Sequence, residues 1–165
     1  MNDMLARHLK PMLIRYLKQL NHMLGLCDDS ILAAKLADDM LPFGAHAAVV
    51  NNFAKRMYYP LVNRPVVLVE QQNTIAETQA ILEVTINALL ALPNVHQFDD
   101  SLSISDRAGF EDIALPQSEY VMSFALPNFY FHLSMVYAIG KVQSVPLSKG
   151  DFDGYHSYPA NFSFK

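Results

Sequence analysis

Apolar residues recur at intervals of three and four along most of this 165-residue chain. The spacing places them on one side of an α-helix, which completes a turn about every 3.6 residues. The first such stripe consists of Leu5, Leu9, Met12, Leu13, Tyr16, Leu17, Leu20 and Leu24. Further helical stripes run through 31–59, 75–92 and 119–141. Each stripe must be buried against the others, so the sequence predicts an all-α fold, a four-helix bundle.

The ends of the first two helices carry stop and start signals. Pro11 lies inside the first stripe, so it either opens a shorter helix or bends a longer one, and Gly25 is a plausible end. The second stripe predicts a short helix ending near Ala37, followed by a longer helix that Asp39 caps. Pro42 would then lie in the first turn of that longer helix, which Tyr59 and Pro60 end.

The second half of the chain predicts two helices with a hairpin between them. Residues 61–72 are expected to be extended, because they combine prolines with a β-branched run. Thr74 and Glu77 fit a capping box at the start of the third helix, which Pro93 closes. Short alternating pieces between Val95 and Pro116 predict a small β-hairpin that turns at Gly109. The fourth helix is expected from Ser118 to about Lys141.

Residues 1–165 are predicted to form a single domain whose last segment, 151–165, is a tail with five aromatic residues. Aromatic side chains at this density are usually buried. We therefore expect the tail to pack along the bundle or onto a second subunit.

Charge and cysteine content exclude several classes of function. The formal net charge is −4 and no stretch gathers a run of like charges, so nucleic acid is not expected as a partner. No apolar segment is long enough to span a membrane, and the N-terminal residues lack the features of a signal peptide, so a cytoplasmic location is expected. The single cysteine, Cys27, allows no internal disulfide and is interpreted as a small apolar filler.

Three stretches carry a resemblance to a known family. These are "FALPNFYFHLSMVYAIGKVQSVPLSKGDF" at Phe124–Phe152, "LADDMLPF" at Leu36–Phe43, and "FAK" at Phe53–Lys55. Together they resemble an uncharacterised bacterial family, a domain of unknown function, in the DinB/YfiT-like superfamily that is regarded as one of metalloenzymes. The resemblance covers the second and fourth helices closely and reaches about Asp151.

The resemblance implies a DinB-like four-helix bundle, a homodimer, and a site in which three histidines hold one divalent metal such as zinc or nickel. One ligand comes from the second helix and two come from the fourth, four residues apart. That interval places two side chains one turn apart on the same helix face. Carried over to this sequence, the ligand positions fall on His46, Asn128 and His132. Asn128 offers only an amide oxygen, a weaker ligand for zinc or nickel than an imidazole.

Other residues are predicted to line the pocket around this site. Asp39 and Tyr137 are expected near the metal, and Phe124 and Phe131 are expected in the core or at the mouth of the pocket.

A purely structural interpretation of the same residues is also open. Pro127 removes a helical hydrogen bond, and the Asn128 amide could satisfy backbone groups at the resulting kink. His132 would then be a buried histidine bonded to Asn128 or to a tyrosine hydroxyl.

Two classes of function follow. In the first, the metal supports catalysis of thiol-transferase or hydrolase type, as the resemblance implies. In the second, the bundle is metal-free and binds a small apolar ligand or a protein partner. A serine–histidine–acid set and a glycine-rich phosphate loop are both missing from the sequence.

Overall fold

The computed structural model describes residues 2–159 and residue 162, with the side chain of Asn2 excepted. It confirms a mainly helical fold with a small antiparallel hairpin before the last helices. The elements in chain order are α1 (Asn2–Leu24), a 3₁₀ turn (Asp29–Ala33), α2 (Phe43–Tyr58), a 3₁₀ turn (Pro60–Val62), α3 (Ile75–Ala91), β1 (Ser103–Ala108), β2 (Glu111–Pro116), α4 (Gln117–Glu119), a π-helical segment (Tyr120–Ala125), α5 (Leu126–Val142) and α6 (Lys149–Asp153).

Four long helices form the bundle, as the apolar stripes predict. α2 packs against α5 and α1 packs against α3, and the predicted stripe of α1 supplies fully buried leucines at positions 9, 13, 17 and 20. Pro11 lies inside α1 without ending it. Of the two alternatives for Pro11, the longer helix is therefore the observed one.

The second helix begins later than predicted. Residues 36–40 form bends and a turn with Asp39 exposed, and α2 starts only at Phe43 with Pro42 as its N-cap residue. The backbone N–H of Phe43 donates to the carbonyl of Ala34 at 2.8 Å, which holds the chain in this position before the helix begins. The short helix expected before Ala37 is the 3₁₀ turn at Asp29–Ala33.

The predicted capping box and hairpin are both present. The Thr74 side chain accepts from the Glu77 N–H, and the Glu77 carboxylate accepts from the Thr74 N–H. In the hairpin, Ala108 pairs with Glu111, and Gly109 has a φ of +64°, a value that glycine adopts without strain.

The last bundle helix is continuous but irregular. It begins at Gln117, and its π-helical segment ends where the Leu126 N–H donates to the carbonyl of Val121, five residues back. Pro127 follows directly after this segment, inside the continuous helix, where its missing N–H removes one helical hydrogen bond.

The described part of the tail packs along the bundle. The Gln19 side chain on α1 donates to the carbonyls of Gly150 and Asp151 in α6 at 3.1 and 3.0 Å. The Arg15 guanidinium lies 4.1 Å from the centre of the Tyr155 ring. Residues 160–161 and 163–165, the remainder of the predicted tail, lie outside the described residues.

Within residues 2–159 and 162, no helix has both the length and the apolar character that crossing a membrane requires.

Candidate functional site

Two histidines from different helices meet inside the bundle. His46 lies on α2 and His132 lies on α5, and their Nδ1 atoms are 2.9 Å apart. A hydrogen bond between two Nδ1 atoms requires one ring to carry the proton and the other to offer its lone pair. The two rings therefore share one proton between these atoms and hold different tautomers while both are neutral.

Burial favours the neutral form of both rings. His46 is only 2% exposed, and burial lowers the pKa of its imidazole, an effect that the Leu41 backbone partly opposes. Burial also lowers the pKa of His132 to about 4, with further contributions from His46 and from the positive charge of Arg56. At neutral pH the pair is uncharged, and the nitrogens that carry no proton keep basic lone pairs. The Nε2 atom of His46 is buried and has no hydrogen-bond partner among the described residues.

Aromatic rings enclose the histidine pair. The Phe53 ring stacks on His132 at a centroid distance of 6.1 Å, and Phe124 packs against Phe53 at 5.9 Å. Phe131 contacts the His46 ring at 6.4 Å while remaining 51% exposed. Phe131 therefore contacts the pair directly, whereas Phe124 reaches it only through Phe53.

The Asn128 amide is engaged with the backbone of its own helix. Its Nδ2 donates to the carbonyl of Phe124 at 2.7 Å, one turn back. This is the backbone role that the structural interpretation assigned to Asn128, and it leaves the Oδ1 oxygen as the atom available to a ligand. His132, in contrast, bonds to His46 and not to Asn128 or a tyrosine, as far as the described residues go.

Of the other two predicted pocket residues, Tyr137 faces α6 and not the histidine pair. Asp39 is exposed in the turn before α2. Tyr137 packs edge-on against Phe152 of α6 at 5.9 Å and lines a separate cleft. Cys27, the interpreted filler, donates its thiol to the Met23 carbonyl, and burial raises its pKa to about 11, which disfavours a reactive thiolate.

The structure contains an ionic network near the histidines that the sequence analysis does not predict. Arg56 on α2 donates from Nε and Nη2 to the two carboxylate oxygens of Asp106 on β1, at 2.7 and 2.6 Å. The Tyr120 hydroxyl donates to the same carboxylate, and the Arg56 guanidinium lies 4.3 Å from the centre of the Phe53 ring. No local motif joins residues that are 50 positions apart, so the sequence held no signal for this network.

A second cleft lies beside α6 and has a volume of about 820 Å³. We call it the aromatic cleft, because four rings line it, namely Tyr137, Phe152, Tyr158 and Phe162. Leu147 and Pro146 add aliphatic surface, and Lys141 and Lys149 also line the cleft.

The donor atoms at the histidine pair partly fit a divalent transition metal. Within the described residues, no group of three or more His, Cys, Asp and Glu side chains could hold an ion. The two imidazoles remain as donors, and Asn128, one turn before His132 in α5, offers its oxygen from the same helix face. Zinc–nitrogen bonds of about 2.0–2.1 Å and a nitrogen separation of 2.9 Å correspond to an angle of about 90° at the ion. The tetrahedral angle of a structural zinc site would require the rings to separate by a few tenths of an ångström.

Comparisons with known proteins place the chain in a family. A family model described as "Domain of unknown function (DUF1993)" matches residues 6–153. No functionally curated protein matches the chain. Among solved structures, the crystal structure of a DinB family member protein from Shewanella denitrificans is similar, with a TM-score of 0.78 and 22% identity over 95% of this chain and 96% of that one. At this identity the likeness establishes the DinB-like fold alone. The family model covers most of the chain, and the protein is therefore a member of the DUF1993 family with a DinB-like helical fold.

Proposed function

We propose that His46 and His132 bind one divalent transition metal, zinc or nickel, and that the protein is a metal-dependent enzyme of hydrolase or thiol-transferase type. The observation that carries this proposal is the approach of two neutral imidazole Nδ1 atoms to 2.9 Å inside the bundle. A bound zinc or nickel ion would supply Lewis-acid chemistry, which lowers the pKa of a coordinated water or thiol.

The surrounding residues would serve such a site in distinct ways. Asn128 would add its Oδ1 oxygen as a third, weaker donor while its nitrogen stays on the Phe124 carbonyl. Phe53 and Phe131 limit the access of water to the rings. The positive charge of Arg56 would oppose a cation near His132, and Asp106 offsets that charge through its paired hydrogen bonds.

Metal and proton compete for the same atoms. While both rings are neutral, the shared proton would move from Nδ1 to Nε2 of the same ring when the ion binds, so no net proton is released. Because burial lowers the pKa of both imidazoles, we expect binding to be nearly independent of pH above neutrality and to weaken as the pH falls and the rings take up protons.

Metal titration of the protein purified without a histidine tag tests the proposal. We expect one zinc or nickel ion per chain at pH 8, measured by calorimetry and elemental analysis, and no binding by a His46→Ala, His132→Ala variant. A His8→Ala, His96→Ala variant is the matched control, because it removes two exposed histidines. Absence of binding at pH 8, or equal loss in both variants, would contradict the proposal.

The aromatic cleft favours a second candidate function, the binding of a small apolar ligand without catalysis. Its volume of about 820 Å³ is in the range of small-molecule sites, and its walls are mostly aromatic and aliphatic. Binding of a fluorescent naphthalene dye tests this function. We expect the dye to bind the unaltered protein and to bind Tyr137→Ala more weakly. Its affinity for the control Phe110→Ala, which alters an exposed residue, should be unchanged. Equal affinity in both variants would exclude the cleft as the ligand site.

We further propose that the protein acts in the cytoplasm as a homodimer. The single cysteine suits a reducing compartment.

A further inference from the structure

The connection between α2 and α3 contains an exposed apolar segment. We call residues 64–70, with the sequence RPVVLVE, the unpaired strand. It contains no helix, turn or bend, and Val67 and Leu68 are 72% and 59% exposed. Consecutive large aliphatic side chains at this exposure are costly to leave in water.

One edge of the unpaired strand is fixed to α2. Asn52 donates from Nδ2 to the Val69 carbonyl at 2.8 Å and accepts from the Val69 N–H at 2.9 Å. The Lys55 ammonium, on a residue that is only 6% exposed, donates to the Val67 carbonyl at 2.5 Å. These buried polar side chains hold the segment in place in the way that a neighbouring strand would.

The other edge has no partner within the described part of the chain. In an extended chain, the N–H and C=O of one residue point to one side and those of the next residue to the other. Since Val67 and Val69 face α2, the backbone groups of Val66 and Leu68 face away from it. No described residue makes a hydrogen bond with these four groups. The hairpin does not pair with this edge: Val66 and Leu68 line a cavity of about 220 Å³ together with residues of β1, and no backbone hydrogen bond joins the two segments among the described residues.

We propose that two copies of the protein associate by pairing their unpaired strands antiparallel, with Val67 opposite Val67 of the second copy. This inference deepens the proposed homodimer and is independent of the metal. In this register Val66 and Leu68 exchange both backbone hydrogen bonds with Leu68 and Val66 of the second copy. The four free groups on each chain are thereby satisfied, and the exposed valines meet as a β-branched cross-strand pair.

Charge complementarity supports the same register. Arg64 and Glu70 are three residues on either side of Val67, so each Arg64 lies opposite Glu70 of the second copy, twice by symmetry. A register centred on Leu68 would instead place Glu70 opposite Val66 and Arg64 opposite Gln72, so neither charge would face its counterpart. Proline has no backbone N–H. This does not weaken the pairing, because the backbone groups of Pro65 face α2 and not the second copy.

Charge reversal tests the pairing. Arg64→Glu and Glu70→Arg each replace two attractive pairs by two repulsive ones, so we expect each variant alone to raise the dimer Kd by about tenfold or more. An equal mixture of the two variants restores both attractive pairs, and we expect it to form a heterodimer with a Kd near that of the unaltered protein. Sedimentation equilibrium over a concentration series measures all of these constants. Arg7→Glu, the same charge change at an exposed site on α1, is the matched control and should leave the Kd unchanged.

The outcomes separate this inference from the proposals on which it rests. A dimer that neither charge reversal weakens, or a mixture that fails to recover, would overturn the strand pairing and leave the homodimer standing. A protein that stays monomeric at all concentrations would overturn both. Zinc titration of Arg64→Glu should match that of the unaltered protein, so loss of the dimer and loss of the metal site are distinguishable.

Discussion

Asp106→Asn should destabilise the fold more than its position in a small hairpin suggests. The Asp106 carboxylate accepts two hydrogen bonds from Arg56, one from the Tyr120 hydroxyl, and one from the Arg107 backbone N–H at 2.7 Å. Burial alone would raise the pKa of Asp106, but these hydrogen bonds and the arginine charge outweigh it and hold the pKa below its usual value. The carboxylate is therefore ionised at neutral pH.

The magnitude follows from the burial of the pair. The side chains of Arg56 and Asp106 are 16% and 17% exposed. Two unit charges about 4 Å apart attract by about 4 kcal/mol at an effective dielectric constant of about 20. Removing one partner of a fully buried pair costs about 3–5 kcal/mol, because the other charge stays buried without compensation. Allowing for the exposed fraction, and for the amide NH₂ that would face arginine donors, we expect a loss of about 3 kcal/mol in the free energy of unfolding.

Urea denaturation at pH 7 measures this loss. Asp112→Asn is the matched control, because Asp112 pairs with Arg107 at 3.4 Å while its side chain is 83% exposed, and surface pairs contribute about 0–1 kcal/mol. A loss below about 1 kcal/mol for Asp106→Asn, or a loss equal to that of the control, would refute the view that a buried ion pair holds the hairpin to α2.

Two further predictions concern pH and a buried hydroxyl. Because burial lowers the pKa of His132 from 6.5 to about 4, the unfolded chain binds a proton first as the pH falls. In EDTA the free energy of unfolding should therefore fall by about 1–2 kcal/mol between pH 6.5 and 4, after discounting for partial exposure. The midpoint of urea denaturation measures this fall. It should be smaller in His132→Phe and unchanged in the control His8→Phe. The Tyr58 hydroxyl donates to the Pro93 carbonyl at 2.7 Å and accepts from the Val95 N–H at 3.2 Å, so Tyr58→Phe should cost about 1–3 kcal/mol in the same denaturation assay. An unchanged midpoint would mean that water replaces the hydroxyl.

Much of the fold can be predicted because its signals are local. The Thr74–Glu77 capping box joins residues three positions apart, and the apolar stripe of α1 depends only on helical periodicity. The sequence places the start of α2 too early, because the contact that decides it is not local. Asp39 is a good N-cap residue by type, but Phe43 bonds to Ala34 across the turn, and the helix begins only after Pro42.

For the candidate site, the sequence predicts the positions of the residues but not the orientation of their side chains. The four-residue interval between Asn128 and His132 places both on one helix face, and it holds in α5. The sequence does not determine the direction in which an amide or an imidazole turns. Asn128 turns its nitrogen to the Phe124 carbonyl, and His132 meets His46 directly, because backbone groups and the facing helix compete for these side chains.

The π-helical segment Tyr120–Ala125 explains how one helix serves both the ionic network and the histidine pair. A π turn holds more residues than an α turn, so it changes the direction that later side chains face relative to earlier ones. Tyr120, at the start of the segment, reaches Asp106 on β1, whereas His132, beyond it, faces His46 on α2. Phe53 joins the two, because its ring stacks on His132 and also contacts the Arg56 guanidinium. A change that converted the segment to regular α-helix would rotate one of the two groups out of contact, so the hairpin and the histidine pair depend on the same irregularity.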